Sequence, residues 1–344
     1  MRVDDAKRQA TERALADRLR HVRLGEPVSV RNLCVVPLLH STSRDPDYLT
    51  LDDALAQGTV LITEVSEGGS VPELKVTNTG SQPVLLLDGE ELVGAKQNRV
   101  LNLTILVKAQ TAMVIPVSCV EAGRWAARTE RFASSPRAHF AAGRAERMEQ
   151  VSESLRSDGQ RRSDQRQVWE HISMRMADLG AFSPTSAMSD IYGQRAHALE
   201  EMKSGLRVEE DQVGAVFLVG NTLMGYELFD HPATMARLFG KLVNSYGLDA
   251  LAMPSDSVPV NPVEAASALL SDAASAQAEA FEALGAGVDV RLTGDHLTGG
   301  ALVVEERVVH MSVFRQRPPR ETAEECVERP SEGLSRAPRR SVGE

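Results

Sequence analysis

Between Val28 and Val120 the chain breaks into short β-branched or alternating runs separated by turn residues, and this texture limits the fold more than any other feature. VSVRNLCVVPLL and TVLITEVS are rich in β-branched residues, and LTLDDALAQG between them reads as one short helix stopped by Gly58. PELKVTN alternates, with Leu74 and Val76 on one face and Glu73, Lys75 and Thr77 on the other, as a strand with one buried face requires. Asn78-Thr79-Gly80 supplies a turn and PVLLL begins another strand. Asp88-Gly89 is a two-residue hairpin signal before EELV. VLNLTILV and AMVIPVSCV continue the pattern. A succession of such strands with short turns predicts a sandwich or barrel-like sheet.

From Ser134 the texture turns helical. Ser135-Pro136 predicts an N-cap and first residue for a long polar helix reaching about Leu155. SDGQRRSDQR follows as a charged loop, VWEHISMRMADLG as a second helix, and ALEEMKSG as the end of a third. GAVFLVG and LMGYELF form a predicted hairpin around Gly220-Asn221, with PATMARLFGKLVNSYGLDAL as a helix behind it. An Ala-rich helix is expected over 263–284, and GALVVEERVVHMSVF gives a closing hairpin. The expected fold class is α+β: a β-rich region over 24–135, then helices and further hairpins over 136–315, packed with it as one compact unit. Residues 1–23 read as a loosely attached, charged leader helix. Residues 316–344, rich in Pro, Arg, Glu and Ser, read as a disordered tail.

Composition narrows the function classes. A chain of 344 residues can bury a substantial core, and with aromatics at 4% that core must rest on Leu, Val, Ala and Met. A formal charge of −10 argues against a general nucleic-acid binder, which needs a dominant basic face, although it leaves room for a local basic pocket. Cys34, Cys119 and Cys326 are odd in number and far apart, and no CxxC, HxxxH or HExxH spacing occurs. A disulfide scaffold and a structural zinc site are therefore not expected. No run approaches the roughly 18 apolar residues of a membrane span, and the charged N-terminus is unlike a signal peptide. The expectation is a cytoplasmic protein with no membrane and no nucleic-acid partner.

The polar stretch LLLDGEELVGAKQNRV, residues 85–100, stands between strand-like segments. A phosphate-binding loop needs G-x-x-x-x-G-K-[ST] between a strand and a helix. Gly89 and Gly94 have the right separation, but Ala95 displaces Lys96, Gln97 replaces the hydroxyl residue, and a strand follows. That reading fails. Glu90 and Glu91 instead raise a paired-carboxylate site, for acid/base work or a divalent cation. On a regular strand they point to opposite faces, so only a bulge would unite them. Alternatively one faces solvent and the other pairs with Lys96 or Arg99. Gln97, Asn98 and Arg99 supply the directional donors and acceptors that a polar ligand needs.

A second cluster lies in SCVEAGRWAARTERFASSPR, residues 118–137. Arg124, Arg128, Arg131 and Arg137 are expected near the helix start at Pro136, where free amides favour an anion, and Trp125 offers a stacking surface. A solvated basic loop over a buried Trp125 is the alternative. Cys119 and Arg124 stand in a C-x₄-R spacing, near that of cysteine phosphatases and rhodanese-like loops, but a thiolate needs electropositive surroundings and a buried structural cysteine competes with it. Arg161-Arg162-Ser163-Asp164-Gln165 reads as a flexible basic loop that closes on a ligand, and Asp230 as an N-cap.

TLDDALAQGTVLITEVSEGGSVPELKVTNTGSQPVLLLDGEELVGAKQNRVLN, followed by IPVSCVEAGRW, RRSDQ and QVGAVFLVG, resembles the ARG and Rhodanese-Phosphatase-superfamily-associated protein family over roughly residues 24–252. That family is named for its association with ADP-ribosylglycohydrolases and with rhodanese and phosphatase domains. The resemblance implies a role with ADP-ribose- or NAD-related nucleotides, and an ADP-ribosylglycohydrolase as a partner, without carrying over any catalytic residue. On this reading Glu90, Glu91, Lys96, Gln97, Asn98 and Arg99 form one wall of a site. Arg124, Trp125 and Arg128 form the other. If the protein is an enzyme, the glutamates act as general base or hold a divalent cation in glycosidic or phosphoester hydrolysis. The alternatives are a non-catalytic interaction protein of a bacterial stress or defence system, and a Cys119-dependent phosphatase or sulfurtransferase.

Overall fold

The short N-terminal strands do form, and the chain shares them between two sheets by crossing over at polar corners. The computed structural model describes residues 1–42, 45–66, 68–253 and 261–316. A six-stranded sheet runs in the order Phe132–Ala138, Glu90–Gly94, Arg99–Leu101, Thr111–Cys119, Glu73–Asn78, Val60–Glu64. A three-stranded sheet of Ile105–Val107, Val84–Leu86 and Leu49–Thr50 faces it. Leu74, Val76, Leu92, Ile115 and Phe132 of the first meet Val84, Leu86, Ile105 and Val107 of the second in one apolar core. This is the expected sandwich-like region.

The crossing points explain why Asp88-Gly89 does not make a hairpin. Val84–Leu86 and Glu90–Gly94 belong to different sheets, so the Asp88-Gly89 turn carries the chain from one to the other. The return crossing is at 102–104, between Arg99–Leu101 and Ile105–Val107. The two crossings are bonded together: Gly89 N–H donates to Leu101 O (2.9 Å) and Asp88 N–H to Thr104 Oγ1 (3.0 Å). Gly89 has φ +81°, and a Cβ there would lie 2.8 Å from Arg144 Cδ, so the corner requires glycine twice over.

A nine-stranded antiparallel sheet dominates the other half. Arg23–Leu24 and Val28–Val30 both pair with Leu33–Leu39, and the order continues through Gln212–Val219, Thr222–Phe229, Arg307–Arg315, Leu297–Val304, Val288–Gly294 and Gln277–Glu282. One face packs on the helix Pro232–Ala252 and the three-stranded sheet, the other on the helices Asp5–His21 and Pro262–Ser275. Covering both faces explains why every residue of Gln212–Val219 is buried and why that strand reads as a continuous apolar run. Each fully buried Val, Leu or Phe contributes roughly 1.5–3 kcal/mol. Because Leu33–Leu39 lies inside this sheet, the two halves interlock and the α+β fold is one compact unit.

Several local expectations are corrected. The Ser135-Pro136 pair does not begin a helix: Phe132–Ala138 is a bulged strand, and the helix is Ala141–Ser157 with Phe140 at its N-cap. Pairing with Glu90–Gly94 overrides the local capping signal. The Ala-rich helix stops at Ser275, and Gln277–Glu282 is an edge strand. The leader helix is docked, with Thr11 and Leu15 buried and Lys7 paired to Glu282. His231, not Asp230, occupies the N-cap before Pro232. The tail expected from 316 lies outside the described residues beyond Gln316. No helix among the described residues is long and apolar enough to cross a membrane.

Candidate functional site

Strand alternation sends Glu90 and Glu91 to different partners, and both are fully buried. Glu90 Oε2 accepts from Leu87 N–H (2.8 Å) and Oε1 from Lys241 Nζ (2.6 Å). Lys241 also reaches Asp52 (2.8 Å) and Ser134 Oγ (2.8 Å). Burial opposes the lysine's charge, but Glu90 and Asp52 outweigh it and raise its pKa. Glu91 Oε2 accepts from Arg137 Nε (2.6 Å) and Ser135 Oγ (2.8 Å). Neither glutamate faces solvent, and neither carboxylate is hydrogen-bonded to Lys96 or Arg99. The bulge lies on the partner strand, between Ser134 and Ala138, and does not unite the two carboxylates. Among the described residues no group of three or more His, Cys, Asp or Glu is arranged to hold a metal ion.

The remaining residues of the block do come together. Glu90–Gly94 and Arg99–Leu101 form a hairpin closed by residues 94–98, where Gly94 (φ +128°) and Ala95 (φ +35°) turn the chain. The loop after Thr111–Cys119 locks this tip. Arg124 donates to Ala95 O (2.6 Å) and Asn98 Oδ1 (3.1 Å) and pairs with Glu121 Oε2 (2.6 Å). Glu121 also accepts from Asn98 N–H (3.2 Å), and Gln97 Nε2 donates to Glu121 O (3.0 Å). Burial works against the Glu121 carboxylate, but hydrogen bonds from Arg124 and the Asn98 amide hold its pKa below the ordinary value.

Trp125 sits over this tip with 48% of its surface exposed. Lys96 Nζ lies 5.5 Å and the Arg99 guanidinium carbon 5.6 Å from its ring centre, within cation–π range. Lys96 also donates to Gly68 O (2.6 Å). Arg99 is fully buried; its Nη1 donates to Gln97 Oε1 (2.9 Å), while Nε and Nη2 have no acceptor among the described residues. Arg128 is exposed at the rim, 3.9 Å from Glu121. Lys96, Gln97, Asn98, Arg99, Arg124, Trp125 and Arg128 thus form one cluster, with Gln97, Asn98 and Arg124 acting as its scaffold. Among the described residues no helix N-terminus contributes. The helix expected to do so starts at Ala141, where Asp249 accepts from Ala142 N–H (3.1 Å), and Arg137 has turned away to Glu91.

Cys119 lies under the cluster rather than in it. It is fully buried, its Sγ donates to Gln97 Oε1 (2.9 Å), and burial raises the thiol pKa. Arg124 is committed to Glu121, so the C-x₄-R pair does not form a loop around an anion. The segment 161–165 is likewise fixed. Arg161 pairs with Asp289 (3.0 Å), Ser163 bonds Ser118 (2.6 Å), and Gln165 exchanges hydrogen bonds with the Cys119 backbone (2.7 and 2.8 Å).

A second polar centre, which sequence reading did not anticipate, lies where the N-terminal corner meets the large sheet. Asp88 accepts from Arg147 Nη2 (2.7 Å) and Arg144 Nε (3.1 Å). Arg144 also donates to both oxygens of Glu227 (2.6 and 3.3 Å), which accepts from Tyr246 (3.1 Å) as well. His310 Nε2 meets Glu227 (3.0 Å), and its Nδ1 meets Thr104 Oγ1 (2.8 Å). Burial opposes the Asp88 and Glu227 charges, but Arg147 and Arg144 at Asp88, and Arg144 and His310 at Glu227, outweigh it and hold both pKa values below the ordinary ones. Burial, then the neighbouring Arg147, keeps His139 neutral, so it accepts from Arg147 Nη1 (2.6 Å). The sequence carries a signal for these residues. Glu227, Asp289, Arg291 and His310 interrupt apolar strands, and charge in a doubly covered strand must be paired.

A family model described as the ARG and Rhodanese-Phosphatase-superfamily-associated Protein domain matches residues 21–314. No curated protein and no solved structure matches.

Proposed function

The chain belongs to the ARG and Rhodanese-Phosphatase-superfamily-associated family, and from that premise we propose that it binds an ADP-ribose- or NAD-related nucleotide on the face of Trp125. One observation carries the reading: a half-exposed indole stands over a buried arginine that has two N–H groups without an acceptor. A base stacks on an exposed aromatic face, worth roughly 1–3 kcal/mol. A pyrophosphate suits the cations at that face, Lys96 and Arg128 at the rim and Arg99 beneath. The association recorded in the family's name agrees with such a ligand.

The support is for binding. Glu90 and Glu91 lend none to a general base or a metal-bound water, because each is buried against its own cation. Hydrolysis of the ligand falls to a partner on this reading, an ADP-ribosylglycohydrolase being the candidate.

Calorimetric titration of the folded protein with ADP-ribose, NAD and AMP tests the proposal. Heat of binding is expected with at least one of them, with quenching of tryptophan fluorescence that persists in Trp169→Phe and disappears in Trp125→Phe. No heat with any of the three sinks it. The alternative, a non-catalytic interaction protein, draws on the same closed ion pairs at Glu90 and Glu91. It predicts that Arg99→Ala costs stability while no nucleotide binds.

A further inference from the structure

We propose that the cavity between the 88–104 corner and the large sheet is a site for one water-sized monoanion of the chloride class, held by Arg291. The cavity is small and is lined on its polar side by Asp88, Thr104, Asp289, Arg291, His310 and Ser312. Clear of its walls it has room for roughly one water-sized particle, which excludes a nucleotide or an organic acid.

The ion pairs around it do not balance. On one side Asp88 and Glu227 face Arg144 and Arg147, two charges of each sign. On the other, Asp289 alone faces both Arg161 (3.0 Å) and Arg291 (2.7 Å). At least one positive charge is left over among these groups. Arg161 lies at the margin, 9% exposed, with Glu282 O as a further acceptor. Arg291 is 2% exposed and has less: among the described residues, beyond Asp289, its Nη1 meets only the thioether of Met148 (3.2 Å), a weak acceptor, and its Nε has none.

Two cations sharing one carboxylate leave an excess charge that is strongly disfavoured in this environment. A water would satisfy the hydrogen bonds of Arg291 but not the excess charge. A monoanion does both. The two carboxylates in the wall do not repel it as free charges, because both oxygens of Asp88 are taken by Arg144 and Arg147 and those of Asp289 by Arg161 and Arg291. A halide suits the space because it needs no defined orientation and no second polar group.

Crystals of the full chain soaked in sodium bromide should show an anomalous peak in this cavity within hydrogen-bonding distance of Arg291. In solution the melting temperature should rise by roughly 2–4 °C, and saturate, as chloride replaces gluconate at constant ionic strength. Arg291→Gln should abolish both signals. Should that variant not fold, Met148→Glu decides, because it places a carboxylate beside Nη1 and so removes the need for the ion. No bromide peak in the unmodified protein, or a chloride shift that survives in Met148→Glu, overturns the proposal.

Discussion

At the centre of the molecule Asp88 and Glu227 accept hydrogen bonds from Arg144, Arg147, His310 and Tyr246, whereas at the 94–98 turn Arg99 keeps two donors without an acceptor under a half-exposed Trp125. Both regions are dense in arginine, so composition does not separate them. The degree of saturation does: Arg144 uses all three of its nitrogens and Arg147 lacks a partner at Nε alone, whereas Arg99 lacks one at two. Where carboxylates and guanidiniums mostly satisfy one another the cluster fixes two layers of the fold in place. Where a buried guanidinium is left half-satisfied beneath an exposed ring, the proposed ligand is the acceptor that would complete it.

The sharpest way to break this contrast is Glu227→Ala. It leaves Arg144 and His310 buried without their shared partner and should destabilise the protein by roughly 3–5 kcal/mol in urea unfolding. If the loss is below about 1 kcal/mol, the centre is not a structural clamp.

Acid should find the same place. Asp88 and Glu227 have folded pKa values below their ordinary 3.8 and 4.5, so the unfolded chain binds more protons as pH falls through that range. Their contribution is complete above those ordinary values and is lost as pH drops through the depressed folded ones. Urea midpoints from pH 6 downward should fall more steeply for the parent than for Asp88→Asn.

Lys241→Met strands Glu90 and should cost several kcal/mol, but adding Glu90→Gln should recover most of it, since a buried pair replaced as a unit is often nearly neutral. A double variant no more stable than Lys241→Met would mean that Glu90 does more than pair with the lysine. Arg124→Ala comes next. It removes charged hydrogen bonds that hold the 94–98 turn and should cost roughly 1.5–3 kcal/mol while also weakening nucleotide binding. Trp125→Ala should move stability least, within about 0.5 kcal/mol, yet reduce nucleotide affinity about 5- to 150-fold, the equivalent of one stacked base. Equal stability losses for Trp125→Ala and Glu227→Ala would erase the distinction.

The parts of this arrangement readable from sequence are those governed by neighbours along the chain. The alternation of Glu73–Asn78, the short helix that stops before Gly58 and the Gly220-Asn221 hairpin depend on local pattern, and each appears as expected. The same alternation implied that Glu90 and Glu91 could not act together without a bulge uniting them. Turn chemistry was weaker evidence at Asp88-Gly89, because a tight turn that joins two strands of one sheet and one that changes sheets have the same local sequence. Ser135-Pro136 misled for the opposite reason, since strand pairing outweighed a sound capping signal.

Within the sequence, then, lay the strands, their faces, the family and the residues that cluster around Trp125. Which charges would be spent on one another was not there. Arg144 and Arg147 stand 56 and 59 positions from Asp88, and Lys241 stands 151 from Glu90. Whether a buried charge meets its opposite is decided by sheet order and helix docking, because an ion pair depends on distance in space and the chain records only distance along itself.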